Sequence, residues 1–328
     1  DASIVVNISW GTLAGPHDGT SLLEAAMDDL VDRLGGRLQI TVPAGNAYQS
    51  RTHANAVVQP GQTLPLHWRV LPDDHTQSFL EIWLPEGADG VRIEVTPPGA
   101  AQPLPALAAG RSGQWCDANG RPRCALIHPT ATALGRHGTC ALLALAPTFS
   151  QHAHRTLAPF GAWRVALHNA GTQAVVFDAY VERDDVALGV HTGARQSWLE
   201  DGHYDTAGNL DGWVDQPDNP SPVRRSGTYN SLSTGQRTTS VGGTRRTDSG
   251  SAGLARFARY SPQRPEPDAQ RPQRPGVQGA PETLAPSDDN TALWGVRSLG
   301  SLSGSSARLA GTSSSAPREA RRLINKLG

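Results

Sequence analysis

A strand, a helix and a second strand follow one another with short connections at the start of this chain. Residues 4–11 form a β-branched run that closes on glycine, and residues 40–46 form an apolar run that ends in Gly-Asn. Between them, apolar residues recur at helical spacing over residues 22–34. Because parallel strands need a crossover connection, this βαβ unit predicts an α/β fold whose parallel sheet is covered on both faces.

A different pattern occupies the middle of the chain, where short β runs alternate with turn residues at a spacing of roughly a dozen residues. Runs such as Val91-Arg92-Ile93-Glu94-Val95 alternate apolar and polar residues, as half-buried antiparallel strands do. The predicted strands are residues 64–71, 79–84, 91–95, 140–146, 163–168 and 175–181.

This spacing favours an antiparallel β-sandwich of the jelly-roll kind. We predict that the sandwich, residues 53–186, is inserted into the parallel-sheet core and divides it into residues 1–52 and 187–328. The length of the insertion suits a domain of its own.

Near the end of the chain, Gly311-Thr312-Ser313-Ser314-Ser315-Ala316-Pro317 precedes a run with helical spacing of apolar residues. Pro317 is expected in the first turn of this helix, where its missing N–H costs nothing. Ser313 would then lie at the positive end of the helix dipole, which favours a developing oxyanion. The alternative is a flexible loop of small residues, like residues 301–306.

The order of these motifs resembles the second half of the subtilisin-like serine peptidases, or subtilases. Ile8-Ser9-Trp10-Gly11, a helix, Val42-Pro43-Ala44-Gly45-Asn46 and Gly-Thr-Ser-x-Ser-x-Pro occur in the order expected for that family. Ser240-Val241-Gly242-Gly243 and Leu284-Ala285-Pro286-Ser287 resemble two further family segments. The matches cover residues 1–50 and about 220–328.

The resemblance implies that Ser313 is the nucleophile of a serine endopeptidase. Asn46 matches the side-chain donor of the oxyanion hole, with the Ser313 backbone N–H as its companion. Ser315 and Pro43 depart from the family pattern, which usually has alanine and a small residue there. The residues that match substrate-binding segments are Ser9, Trp10, Gly11, Val42, Pro43, Ala44, Gly45 and Thr312.

The catalytic aspartate and histidine of that family precede the asparagine segment, yet His17 is the one histidine among the first 45 residues. His137-Gly138-Thr139 and Asp248-Ser249-Gly250 copy the two motifs, but in the wrong order and context. We therefore expect the Asp and His upstream of residue 1, on an N-terminal fragment or region. An α/β-hydrolase esterase is excluded because only 15 residues follow Ser313.

The three cysteines, Cys116, Cys124 and Cys140, all lie in the predicted insertion. Cys116 and Cys124 flank Asp-Ala-Asn-Gly, a hairpin-turn sequence, which predicts a disulfide across the hairpin and a free Cys140. Such a bond would favour an extracytoplasmic location. Zinc held with His128 or His137 is an alternative, although no Cys-x-x-Cys pair is present.

Composition limits the class of partner. The formal net charge is −1, which argues against nucleic acid, and no 18-residue apolar span suits a membrane. The pairs Arg224-Arg225 and Arg245-Arg246 are expected to be solvated turn residues, as are the acidic pairs Asp184-Asp185 and Asp288-Asp289. Abundant arginine with a single lysine, Lys326, is typical of a GC-rich bacterial source.

The proline-rich stretch at residues 259–281 is expected to be an extended surface loop. The sequence therefore favours a serine endopeptidase that acts on polypeptides without a cofactor or metal. The alternative is a catalytically inactive scaffold or binding module that keeps the same core. Upstream sequence without Asp-Ser/Thr-Gly and His-Gly-Thr motifs would favour that alternative.

Overall fold

The structure, a computed structural model, describes residues 2–130, 138–152, 154–186, 192–204, 215, 218–246, 256–263, 281–290 and 293–327. Among the regular elements, β-strands predominate over helices. In chain order the elements are β1 (Ile4–Asn7), α1 (Leu22–Arg33), β2 (Leu38–Pro43), β3 (His53–Val58), β4 (Thr63–Val70), β5 (Ser78–Leu84), β6 (Val91–Thr96), β7 (Leu107–Ala108), β8 (Arg111–Cys116), β9 (Pro122–His128), β10 (Thr139–Leu145), β11 (Gly161–Asn169), β12 (Val175–Val181), β13 (Trp198–Glu200), β14 (Val223–Arg224), β15 (Thr239–Arg245), β16 (Arg256–Phe257), β17 (Thr283–Asp288), β18 (Val296–Leu299), β19 (Ser306–Leu309) and α2 (Thr312–Leu327).

A parallel sheet brings the two ends of the chain together. Strand β1 pairs with β2, β2 with β15, and β15 with β17, all in parallel, while β16 adds an antiparallel pairing to β15. Met27 of α1 packs with Val42 on one face of the sheet. Val241, the register partner of Pro43, packs with Ala316 of α2. Since Val42 and Pro43 point to opposite faces, the helices cover both sides, as predicted.

Helix α1 begins at a cap that also anchors it to the rest of the core. The Ser21 hydroxyl accepts from the Glu24 backbone N–H and donates to the Glu24 carboxylate. The other Glu24 oxygen accepts from the backbone and hydroxyl of Thr234, at 2.9 and 2.8 Å. Burial of Glu24 raises the pKa of its carboxyl.

Among the described residues, neither helix has the length and apolar character that a membrane-spanning segment needs.

Two antiparallel sheets form the sandwich. One runs β14-β3-β12-β5-β10-β9-β8 and the other β13-β4-β11-β6-β7. Trp68 and Trp163 of the second sheet share a hydrophobic core with Leu80, Leu143 and Phe177 of the first. The strand predicted at residues 175–181 is confirmed, and the other five predicted strands differ by no more than two residues at either end. Strands β13 and β14 join these sheets although both lie beyond residue 186, the predicted end of the insertion.

The predicted disulfide does not form, and none of Cys116, Cys124 and Cys140 is bonded to another cysteine. The predicted hairpin exists as β8 and β9, but its register pairs Cys124 with Trp115 and Cys116 with Pro122. The two cysteines are therefore not cross-strand partners. Burial raises the pKa of the Cys124 thiol to about 12. Within the described residues, no group of three histidine, cysteine or acidic side chains is placed to hold a metal, and His137 lies outside them.

Some residues expected in solvated turns are buried instead. Arg224, Arg225 and Arg245 are each less than 9% exposed. Arg225 contacts Asp215 at 3.5 Å, and its guanidinium carbon lies 4.2 Å from the ring centroid of Tyr204. The aromatic face and the carboxylate compensate the charge and make burial tolerable. Among the acidic pairs, Asp184 and Asp288 are also buried.

Polar and aromatic contacts join the sandwich to the parallel-sheet core. The backbone N–H of Gly15 donates to the Glu81 carboxylate of β5 at 2.8 Å. The buried His17 ring stacks on Tyr180 of β12 with 3.9 Å between ring centroids. The segment between β1 and α1 is therefore fixed against two strands of the sandwich, which holds the insertion in place.

A destabilising carboxyl lies at the same junction. Burial, reinforced by the neighbouring Glu81 carboxyl, raises the pKa of Glu182 to about 7. The charged form of Glu182 is thus disfavoured in the folded protein, which binds more protons than the unfolded chain between about pH 4.5 and 7. This group therefore contributes a loss of stability as pH rises through that window.

Glu182→Gln should increase the free energy of unfolding at pH 8, because it removes the charge that the site disfavours. After allowance for the partial exposure of the side chain, we expect a gain on the order of 1 kcal/mol. The gain should vanish below about pH 4.5, as urea unfolding at both pH values would measure. Glu94→Gln is the control, since Glu94 pairs with Arg164 at 3.0 Å and no gain is expected. An equal gain for both variants at pH 8 would contradict this account.

Candidate active site

Ser313 lies in the first turn of α2, at the turn that follows Gly311. The backbone of Gly311 has φ 117°, a conformation that favours glycine, and a Cβ there would lie 3.2 Å from the Asn46 amide nitrogen. Its N–H donates to the Tyr260 hydroxyl at 2.9 Å. Gly311 therefore lets the start of α2 approach the turn that carries Asn46.

The side chain of Asn46 is oriented by the residue before Ser313. Its Oδ1 accepts from the backbone N–H of Thr312 at 2.8 Å. A backbone N–H can only donate, so the amide oxygen must face the helix and Nδ2 is left as the available donor. The Thr312 hydroxyl donates to the Gly45 carbonyl at 2.9 Å and accepts from the Gly45 N–H at 3.1 Å. Asn46 and Ser313 are thus held by one hydrogen-bonded unit.

The sequence predicts Pro317 in the first turn of α2. The helix begins at Thr312, so Pro317 is its sixth residue and lies beyond the first turn. At this position proline removes the N–H that would bond to the carbonyl of Ser313. The Ser9 hydroxyl instead donates to the Ser313 carbonyl at 3.0 Å. In return, the Ser313 Oγ lies 3.5 Å from the Ser9 carbonyl oxygen. The serine turn is therefore tied to the segment directly after β1.

Asn230, which the sequence analysis missed, connects the two segments on either side of the site. Its Nδ2 donates to the carbonyls of Pro43 at 2.9 Å and Trp10 at 3.2 Å. Its Oδ1 accepts from the N–H groups of Thr12 and Leu232. A Cβ on Gly11 would lie 2.4 Å from this side chain, which explains the glycine. The residue lies in a run of small polar residues typical of a loop, so no local signal marks it.

These segments enclose a cavity of about 310 Å³. Eight of the ten predicted site residues line it; Val42 and Ala44 do not. Val42 and Ala44 are fully buried, whereas Pro43 between them lines the cavity. This alternation is expected because successive residues of a strand point to opposite faces of the sheet. The lining residues are Ser9, Trp10, Gly11, Thr12, Leu13, Pro43, Gly45, Asn46, Ala47, Ser50, Thr52, Arg183, Gln196, Asn230, Thr312 and Ser313.

The described wall of the cavity contains no histidine, aspartate or glutamate. His17 is buried elsewhere, with its Nε2 2.9 Å from the Leu13 carbonyl oxygen. His137 and Asp248 lie outside the described residues, while Thr139 begins β10 of the sandwich. The part of the chain that the structure describes therefore supplies a hydroxyl and amide donors at this site, and no base.

Ser315, the departure from the usual alanine, is accommodated inside the core. Its side chain is fully buried, and its hydroxyl donates to the Ala285 carbonyl of β17 at 3.0 Å. The extra polar atom is therefore hydrogen-bonded, which removes the penalty of burying it.

The chain is similar in structure to the CspB protease of Clostridium perfringens. The TM-score is 0.62 at 16% sequence identity, over 96% of this chain and 54% of that chain. This chain therefore shares the fold of part of that structure and spans about half of its length. No protein-family model matches the sequence, and no curated protein does.

Asn230→Ala should destabilise the protein by on the order of 3 kcal/mol, because it leaves buried carbonyls and N–H groups of two segments without partners. Urea unfolding would measure the loss. Ser233→Ala in the same loop removes a single hydrogen bond, to the Asn230 carbonyl at 2.7 Å, and should cost only about 1 kcal/mol. Equal losses for the two variants would show that Asn230 does not connect these segments.

Proposed function

We propose that this chain is the nucleophile-bearing part of a serine endopeptidase of the subtilisin-like type. The observation that carries the proposal is the unit formed by Asn46, Thr312 and Ser313. It combines a serine hydroxyl in the first turn of a helix with an amide donor whose direction is fixed by the same turn. A cavity of about 310 Å³ lies beside them, and the fold is shared with part of a protease.

In the proposed reaction, the Ser313 Oγ attacks the carbonyl carbon of the scissile peptide. The oxyanion of the tetrahedral intermediate accepts from Asn46 Nδ2 and the Ser313 backbone N–H. That N–H belongs to the first turn of α2, where no intrahelical acceptor exists, and the helix dipole adds favourable potential. Collapse of the intermediate releases the amine and leaves an acyl-enzyme on Ser313, which water then hydrolyses.

A substrate in this arrangement extends along residues 9–11. An extended peptide can pair with a free backbone edge, as in strand addition. Trp10 is 60% exposed and borders the cavity, so its ring can pack against the side chain before the scissile bond. Pro43 also lines this cavity, and Gly45 lies in the turn that follows β2.

A general base must accept the Ser313 proton, since an unassisted serine hydroxyl is a weak nucleophile. We propose that a histidine and its aspartate partner come from a region upstream of residue 1. Among the described strands, β1 pairs only with β2 and leaves its other edge open to a further strand. Ser9 lies two residues after the end of β1 and contacts Ser313. A further strand paired with this edge would therefore lie close to the proposed nucleophile.

A fluorophosphonate probe should label Ser313 in the full protein, including any upstream region, because such probes react with activated serines. Ser313→Ala should abolish labelling. Ser314→Ala is the matched control: its hydroxyl donates to the Leu309 carbonyl at 3.1 Å, and labelling should persist. Asn46→Ala should slow labelling by about 10²–10³, the usual effect of removing one oxyanion donor. Labelling that survives Ser313→Ala would refute the proposal.

The absence of a base from the described cavity wall also favours a second candidate, an inactive scaffold or binding module. The same experiment separates the two. A scaffold would show no labelling of Ser313 even with the upstream region present, and Asn46→Ala would then have no kinetic effect.

A further inference from the structure

The sandwich supplies part of the wall of the cavity that contains Ser313. Arg183 follows β12, and Gln196 precedes β13; both line the cavity that contains Ser313. Within the described wall, Arg183 is the one residue with a formal charge. The other lining residues are neutral, so this guanidinium is the charged group in the described wall that a ligand can contact directly.

The segment that carries Arg183 is held in place on both sides. Gln196 donates from Nε2 to the Glu182 carbonyl at 3.0 Å. Asp184 accepts at Oδ2 from the backbone N–H and the hydroxyl of Ser197, at 2.7 and 2.9 Å. The neighbours of Arg183 are thus bound to the protein. A fixed backbone lowers the entropy lost when the side chain binds a ligand.

The intramolecular partner of Arg183 is easily displaced. Its Nη2 lies 2.9 Å from Asp185 Oδ1, with the two side chains 57% and 65% exposed. Exposed ion pairs of this kind contribute little free energy. A ligand carboxylate in the cavity can form two parallel hydrogen bonds with the guanidinium, a geometry that the single contact with Asp185 does not use. Exchange of Asp185 for such a carboxylate therefore costs little.

We propose that Arg183 is a specificity-determining residue that selects peptides with an aspartate or glutamate side chain in this cavity. The inference rests on the proposed function, because the ligand is the peptide substrate. Trp10 and Leu13 offer apolar surface to the methylene groups of such a side chain. An inserted domain would in this way determine which peptides reach a nucleophile that it does not carry.

The test is peptide binding to the full protein carrying Ser313→Ala, which removes turnover but leaves the wall intact. Fluorescent peptides that differ only by Glu or Gln at one position, moved through successive positions, are compared by anisotropy. At one position the Glu peptide should bind about tenfold more tightly. Arg183→Gln should abolish this difference, and Arg164→Gln, a control on the distant pair with Glu94, should preserve it.

Asp185→Asn provides the discriminating variant. If Arg183 selects carboxylates, removal of its competing partner should increase the preference for Glu, opposite to the effect of Arg183→Gln. If the ion pair is merely structural, both variants should act in the same direction. No preference for Glu at any position, or a preference that persists in Arg183→Gln, overturns the inference. Labelling of Ser313 by fluorophosphonate is independent of Arg183, so it reports separately on the proposed function.

Discussion

The hydrogen bonds between Asn46 and Thr312 are the contact on which the site depends. They join residues 266 positions apart and require the turn after β2 to lie beside the start of α2. The parallel register of β2, β15 and β17 provides that proximity, because it aligns the ends of strands from opposite parts of the chain. The site is therefore a product of the sheet, and neither motif has its geometry without the other.

The sandwich interrupts the chain between those two motifs, and its position has a geometric consequence. Both of its ends must return to the core near the site, since the chain leaves after Asn46 and re-enters before β15. The segment between β12 and β13, inside the sandwich, also reaches the cavity and contributes Arg183 and Gln196 to its wall. The hydrogen bond from the Gly15 N–H to the Glu81 carboxylate helps to fix the sandwich relative to the segment that contains residues 9–11. An insertion at such a point can modify substrate choice while the nucleophile and its donors remain unchanged.

Local patterns predicted the strands and helices well, because alternation and helical spacing depend on short stretches of sequence. The sequence motifs also assigned Ser313, Asn46 and Ser9 to one site, and all three residues line the same cavity. The sequence analysis failed where contacts between residues far apart in the chain determine burial or hydrogen bonding. Burial of Arg225 depends on Tyr204 and Asp215, and the role of Asn230 depends on four separate partners. Such contacts leave no periodic signal in the sequence.

The serine turn is constrained from three directions before any substrate binds. The Tyr260 hydroxyl accepts from the Gly311 N–H, and Asn46 Oδ1 accepts from the Thr312 N–H. The Ser9 hydroxyl donates to the Ser313 carbonyl. Burial raises the pKa of Tyr260 to about 12, so its hydroxyl stays protonated even in mildly alkaline solution. Pro317 makes the third contact possible by withdrawing the competing helical N–H. In the reaction we propose, these contacts fix the two donors, Asn46 Nδ2 and the Ser313 N–H. Such donors need no reorganisation when charge develops, which is the condition for effective stabilisation of an oxyanion.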